Sequence, residues 1–409
     1  MQDQTPSGPF SPRKIFGLRQ SISAILTGTT LTLATMATAN ATTTTHATVI
    51  DDTVKKTISK GDKGVAIANP SVFEGDLRKI KPPQKWLPGD AVKVANPRHI
   101  RDIQTIKPAV NKVAGGMDPL LEKQSKVKTS KSTNRSAVVD VNVDGLGFNG
   151  VNPPDTTGDV GLKYYIQSIN SGGGSVFNIY DKTDGAVVAG PISMASLATG
   201  DCANTMGDPI VLFDEQAKRW LLTEFSTQGV NKLCVLVSKT EDPIAGGWYS
   251  YEFQAPSFPD YPKYSQMGGV YYASANENQS AVYAFEREKM LAGEPAAMIR
   301  QEVPTLAGFG FNAITPIDVD GDKAAPAGTP GMFIRHRDDE LHNACSNNAE
   351  KDYLEIWTLT PDFANSDNSK LEGPFNIEVT EFDSTFRCDG PGFGCLEQKG
   401  SDHPLDPLR

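Results

Sequence analysis

The chain has 409 residues, five cysteines and a formal net charge of −10, from 39 Lys+Arg against 49 Asp+Glu. That length accommodates a substantial core plus accessory segments. The acidic balance argues against a nucleic-acid role for the compact part, because like charge repels the phosphate backbone. No stretch beyond the N-terminus is apolar enough to span a bilayer.

Residues 1–41 read as a secretory signal peptide. Arg13, Lys14 and Arg19 supply a positive start, and "ISAILTGTTLTLATMATANA" follows as an apolar run that ends in small residues. Ala39-Asn40-Ala41 is an A-x-A-like cleavage site, with Ala37-Thr38-Ala39 as the alternative. The run is too short and Thr-rich for a membrane anchor. The expected location is therefore secreted, extracellular or periplasmic.

Residues 42–135 carry a net charge of +9, while residues 136–409 carry −21. The basic part is poor in aromatics and contains "KIKPPQKWLPGD" and "EKQSKVKTSKSTNRS". It reads as a largely irregular pro-segment or linker. Two roles stay open: lying on the acidic domain by charge complementarity, or acting as a tether.

Residues 136–409 read as an all-β domain. Short runs such as "YYIQSIN", "VFNIYD", "WLLTEF", "LCVLVS", "YYASAN" and "VYAFER" are rich in β-branched and aromatic residues and bounded by turn residues. "EREKMLAG" offers one helical turn. Asp155, Asp208 and Asp260 precede Tyr165, Trp220 and Tyr272 by 10, 12 and 12 residues, and those aromatics lie 55 and 52 residues apart. A unit of about fifty residues with four short strands predicts a β-propeller of four-stranded blades. A β-sandwich array leaves the recurrent acidic turn unexplained, and a β-helix needs a period of roughly 20 residues. Only about five such units fit after residue 140, so the ring is either small or incomplete.

The motifs "NPPDTTGDVG", "GDPIVLFDEQAKRWLLTEF", "DYPKYSQMGGVYYASAN" and "CDGPGFGCLEQKGSDHPLDPLR" resemble those of a large, mostly uncharacterised group of secreted bacterial β-propeller proteins. The resemblance runs from about residue 145 to the end. It implies further strands past Leu405-Asp406-Pro407-Leu408, hence a chain truncated at its C-terminus, and it implies little about function.

In a propeller, the loops that lead into the innermost strands open on one face, together with the loops that join second and third strands. Asp155, Asp208 and Asp260 are thus expected around one mouth, with Asn170, Glu224 and Asn276 on its rim. "FIRHRDDELHNACSNN" falls at the corresponding place in the fourth unit, and its loop is expected to open at His336. A strand through the motif would separate His336 from His342 by roughly 20 Å, and a helix would misalign them by about 120°. Only a loop can bring them together.

Three readings of this mouth compete. His336, Asp338, Asp339, Glu340 and His342 could perform acid/base catalysis on an extended substrate, since crowded carboxylates acquire raised pKa values. The same residues could bind a divalent cation, Zn²⁺ or Mn²⁺ through His and carboxylate, Ca²⁺ through oxygens alone. Or the loop is solvated surface without chemistry.

"DVDGD", Asp318 to Asp322, begins like a calcium loop through Asp318, Asp320 and Asp322, but Ala327 stands where the bidentate Glu is expected. Ca²⁺ is the candidate ion, with an ordinary Asp/Gly turn as the alternative. In an oxidising compartment, Cys202 with Cys234 and Cys388 with Cys395 are the expected disulfides, leaving Cys345 over. "INSGGGSV" joins two strands and reads as a flexible rim loop rather than a phosphate cradle. Trp220, Tyr165 and Tyr272 occupy repeated positions and are expected in the blade core. The functional expectation is action on, or binding to, an extracellular polysaccharide or similar extended polar ligand. A non-catalytic, Ca²⁺-stabilised module that binds a glycan or protein is the alternative, and enzyme against binder stays open.

Overall fold

A computed structural model describes residues 65–94, Lys123, Lys126, 140–227, 229–306, 314–321, 323–339 and 351–382. Near the N-terminus lie β1 (Val65–Ala68), β2 (Ser71–Phe73), a 3-10 turn at Leu77–Lys79, β3 (Lys93–Val94) and β4 (Val151–Asn152). Four antiparallel meanders follow. The first is β5 (Thr157–Val160), β6 (Tyr164–Ser171), β7 (Gly174–Asp181) and β8 (Val187–Ser193). The second is β9 (Gly207–Asp214), β10 (Arg219–Ser226), β11 (Lys232–Ser238) and β12 (Trp248–Gln254). The third is β13 (Asp260–Met267), β14 (Val270–Asn276), β15 (Ala281–Phe285), the helix α1 (Arg287–Ala292) and β16 (Ala296–Glu302). The fourth is β17 (Thr315–Pro316), β18 (Gly331–Arg337), β19 (Asp352–Thr360) and β20 (Lys370–Val379).

Burial shows how the sheets stack. The middle strands β7, β10, β11, β14 and β15 are buried at nearly every position, so both of their faces are covered. A sheet with one wet face would alternate instead. Three apolar clusters account for the cover. Ile166, Phe177 and Ile192 of the first sheet meet Val211, Trp220 and Leu236 of the second. Leu221, Val235 and Phe253 of the second meet Tyr264, Tyr283 and Phe285 of the third. Tyr272 and Val282 of the third meet Phe333, Trp357 and Leu359 of the fourth.

The innermost strands also touch in series: β5 with β9, β9 with β13, and β13 with β17. Phe213 N donates to Asp159 Oδ2 at 2.7 Å, and Gln266 N to Asp318 Oδ1 at 2.7 Å, each joining neighbouring inner strands. Asp159 and Asp318 both have raised pKa values, first through burial and then partly through repulsion that includes Asp320. The segment after β17 therefore lies within electrostatic range of Asp159 on the inner strand of the first sheet. Four-stranded meanders stacked face to face, with their first strands inward, are propeller blades. The expected architecture is the observed one; Trp220 and Tyr272 lie in the blade core as expected, whereas Tyr165 is only half-buried.

Part of the N-terminal segment, expected to be largely irregular, forms short strands that pair with the blades. β1 adds antiparallel to β16, pairing Val65 with Ile299 and Ala68 with Ala296. β2 adds antiparallel to β12, pairing Ser71 with Ser250 and Phe73 with Trp248. Leu77 is buried in the core between the first two sheets, and its N–H donates to Ile244 O at 2.9 Å. Glu74 pairs with Lys239, and β3 runs parallel to β4. Residues 65–94 thus form a belt that crosses the third, second and first sheets in turn. The physical reason is edge protection: β12 and β16 end their meanders with unpaired N–H and C=O groups, which the belt satisfies. Residues 1–64, which include the expected signal peptide, lie outside the described residues.

Cys202 and Cys234 form the expected disulfide, with Cα atoms 5.7 Å apart. Cys345, Cys388 and Cys395 lie outside the described residues. Among the described residues, no helix is long and apolar enough to cross a membrane.

Candidate functional site

The entries to the innermost strands share a backbone device. Asp155, Asp208 and Tyr261 have φ of 41°, 55° and 52°, a left-handed conformation uncommon for residues other than Gly. Asp tolerates it through local side-chain hydrogen bonding, which accounts for the acid at positions 155 and 208, whereas in the third blade the left-handed residue is Tyr261, one place after the acid. Asp155 Oδ2 accepts from Asn170 Nδ2 at 2.8 Å, while Asn170 Oδ1 accepts from Asp208 N at 2.8 Å. Asp155, Asn170 and Asp208 therefore meet at the junction of the first two blades. In the third blade, Asp260 stands opposite Asn276 in register, and its Oδ1 accepts from Tyr261 N at 3.1 Å.

The expected rim is not a rim. Asn170, Glu224 and Asn276 are all buried. Each lies within the last three residues of its strand, and its side chain is withdrawn from solvent. Asn170 Nδ2 also bonds Pro153 O at 3.1 Å, tying down the loop before β5.

The fourth blade needs a second correction. β18 runs through His336 and Arg337, which pair with Leu354 and Tyr353, so the loop opens at Asp338 and not at His336. Alternation along the strand separates His336 from its neighbours. Arg335 and Arg337 turn toward Glu355, with Arg335 Nε–Glu355 Oε2 at 2.7 Å and Arg337 Nη1–Glu355 Oε1 at 3.2 Å. Arg337 Nη2 also holds Asp339 Oδ1 at 2.9 Å, and Asp339 N donates to Asp352 Oδ1 at 3.0 Å. Asp339 is thus a buried member of an ion network, a structural position. His336 is half-buried, with Phe382 edge-on at 5.9 Å between ring centroids. Burial lowers its pKa; the Asp338 charge opposes this and the Arg335 charge adds to it. His336 and Asp338 therefore interact, whereas Glu340 and His342 lie outside the described residues.

Asp318 is committed to the Gln266 N–H of β13, Asp320 lies near Asp159 in the same field of repulsion, and Asp322 lies outside the described residues. Among the described residues, no group of three or more His, Cys, Asp and Glu is placed to hold a metal ion.

A cleft that sequence reading missed lies beside the first blade. It has a volume of about 450 Å³, and its lining includes Lys85, Trp86, Asp90, Lys93, Asn149 and the Ser171–Gly173 turn between β6 and β7. The belt makes one wall and the first blade the other. Trp86 is fixed in three ways. Its ring meets Phe148 edge-on at 5.0 Å, its Nε1 donates to Asp90 O at 3.2 Å, and it lies against Gly150. A Cβ at Gly150, where φ is +79°, would sit 2.4 Å from Trp86 Cδ1, so glycine is required there. Asp90 Oδ2 takes the Leu87 N–H at 2.9 Å and closes the turn that carries the indole. The available signal was a single Trp between Pro-rich turns in an otherwise aromatic-poor basic segment.

No family profile and no curated protein sequence matches the chain. Among solved structures, it is similar to an exo-1,5-alpha-L-arabinanase from a bovine ruminal metagenomic library, at 13% identity and a TM-score of 0.31, over 56% of this chain and 79% of that one. It is also similar to a candidate exo-beta-1,3-galactanase from Bifidobacterium bifidum s17, at 9% identity and a TM-score of 0.27, over 57% of this chain and 92% of that one. At these scores neither carries a functional assignment.

Proposed function

We propose that this chain is an exported β-propeller module that binds an extended polar ligand, an extracellular glycan being the class that fits best. The observation that carries this reading is the cleft between belt and first blade. A cleft of about 450 Å³ is of ligand size. It offers a pre-oriented indole, the amide of Asn149, the hydroxyl of Ser171 and the Lys85 and Lys93 ammonium groups. An aromatic plate with a few fixed polar groups suits a sugar ring, whose C–H face is apolar and whose hydroxyls need partners. The fourth-blade acids support catalysis less well, because Asp339 is held within an ion network.

The test is affinity electrophoresis through gels that contain a panel of polysaccharides, with reducing ends assayed in parallel. The wild type should be retarded by at least one polysaccharide without releasing reducing ends. Trp86→Ala should migrate freely while keeping its melting temperature within a few degrees. Unchanged retardation in Trp86→Ala would refute the assignment of the site. Reducing ends that disappear in His336→Ala would move the function to catalysis in the fourth blade.

A further inference from the structure

Several buried carboxylates in this fold are paired with arginines, and Glu224 is not among them. Asp214 is paired with Arg287 at 2.7 Å, Glu277 with Arg300 at 2.9 Å, and Glu355 with Arg335 at 2.7 Å. Glu224, on β10 and 2% exposed, has no basic side chain within ion-pairing distance among the described residues. Its company is the hydroxyls of Ser175, which follows Gly174 at the start of β7, and Thr205, just before β9. All three residues are buried, and Glu224 Oε2, Ser175 Oγ and Thr205 Oγ1 each lack a hydrogen bond of normal geometry.

Gly174 explains how these oxygens come together. Its φ is +98°, and the position a Cβ would take lies 2.0 Å from Thr205 Oγ1 and 3.1 Å from Glu224 Oε2. Any side chain there would collide with the Thr205 hydroxyl, so glycine at the strand start lets oxygens from three separate elements gather in one cradle. Leaving such groups without partners costs about 1–3 kcal/mol each, more for a charge. Burial pushes the Glu224 carboxyl up to about 8 even against the lowering influence of Thr205 and Ser175, keeping it protonated near neutral pH. A cation offers the other resolution, satisfying charge and lone pairs together.

We propose that Glu224, Ser175 and Thr205 bind a monovalent metal cation, Na⁺ or K⁺, between the first and second blades. The donors are all oxygens, which select hard cations over Zn²⁺ or Cu²⁺. The nearest sulfur across the sheet, Cys234 opposite Glu224, is locked in its disulfide and offers no thiolate. A single carboxylate balances a single positive charge, which separates this site from a calcium site with several acids. The site ties the β6–β7 turn, whose Gly172 and Gly173 line the cleft, to the second blade.

The test compares melting of the full chain in NaCl, KCl, CaCl₂ and choline chloride at equal ionic strength. A cation bound only by the folded state raises the melting temperature as its concentration passes its dissociation constant. The expected result is a saturable rise of about 3 °C or more in NaCl or KCl over choline chloride. Glu224→Gln should melt at one temperature in all four salts. Thr205→Val, which keeps the carboxylate, should shift the midpoint of the salt response to higher concentration, and it serves if Glu224→Gln fails to fold. Rubidium-soaked crystals should show anomalous density beside Glu224. Identical melting in choline and alkali salts would mean that the cradle holds water only. An alkali response that survives in Glu224→Gln, or stabilisation by Ca²⁺ alone, would equally overturn the proposal.

Discussion

Replacing Arg287 by Met tests the packing of the second blade on the third. Arg287 opens α1 of the third blade, while Asp214 ends β9 of the second, and both side chains are buried. Arg287 Nε and Nη2 reach the two Asp214 oxygens at 2.7 and 2.9 Å, Tyr271 OH donates at 2.7 Å, and Ala217 N at 2.9 Å. Met preserves most of the stem and removes the charge. Breaking one side of a buried pair costs about 3–5 kcal/mol, because the other charge is left uncompensated. The assay is urea unfolding of wild type, Arg287→Met, Asp214→Asn and the double variant, followed by fluorescence. The cycle should return a coupling of about 2–3 kcal/mol. Its pH dependence adds a sign. Burial raises the Asp214 pKa, but the Arg287 hydrogen bonds and charge outweigh it and hold the group below the usual range. A depressed pKa gives stability that is present above the unfolded value, about 3.9, and lost as pH falls through the lower folded value. In Arg287→Met the buried acid loses its counter-charge, its pKa rises, and stability should instead fall as pH increases from about 4. Additivity within about 0.5 kcal/mol and an unchanged pH slope would refute the inter-blade contact.

Three further outcomes are expected. A chain that begins at Val65 should melt like the full protein, whereas one that begins at Asp140 should lose roughly 10 °C and self-associate on size-exclusion chromatography, because the β12 and β16 edges are then unpaired. In choline chloride, without alkali cations, wild-type stability should fall by several kcal/mol as pH rises from the unfolded Glu value near 4.5 through the folded Glu224 value of about 8, and Glu224→Gln should remove that slope. Changing Cys202 and Cys234 together to Ala should cost about 3–4 kcal/mol in urea unfolding by the loop-entropy relation, their separation being 32 residues.

The blades were legible because a buried sheet must be written locally. "WLLTEF" and "LCVLVS" are β-rich runs between turns, and Trp220 and Tyr272 recur at the spacing of the blade. The belt was not legible, since "VAIA" and "SVF" become strands only by pairing with β16 and β12, far along the chain. Composition marks that segment as basic and aromatic-poor, and neither property reports an edge that needs covering. Polar type misled at Asn170, Glu224 and Asn276, because their residue names suggest solvent while their side chains are withdrawn from it. The acids at Asp155 and Asp208 were found for an incomplete reason: the repeat reports left-handed backbone as much as a charged mouth. The sequence places the loop two residues too early, at His336, because nothing local to the motif reports that β18 extends through Arg337 to pair with Tyr353.

Trp86 permits a direct test of the ligand face. Of the four tryptophans, Trp220, Trp248 and Trp357 are buried and Trp86 is half-exposed, so iodide should quench Trp86 selectively. Quenching is measured with and without a polysaccharide that retards the protein in affinity gels. The account predicts that bound polysaccharide abolishes most of the quenchable fluorescence in the wild type and that Trp86→Ala shows little quenchable signal at any time. Binding that leaves Trp86 as accessible to iodide as before would contradict it.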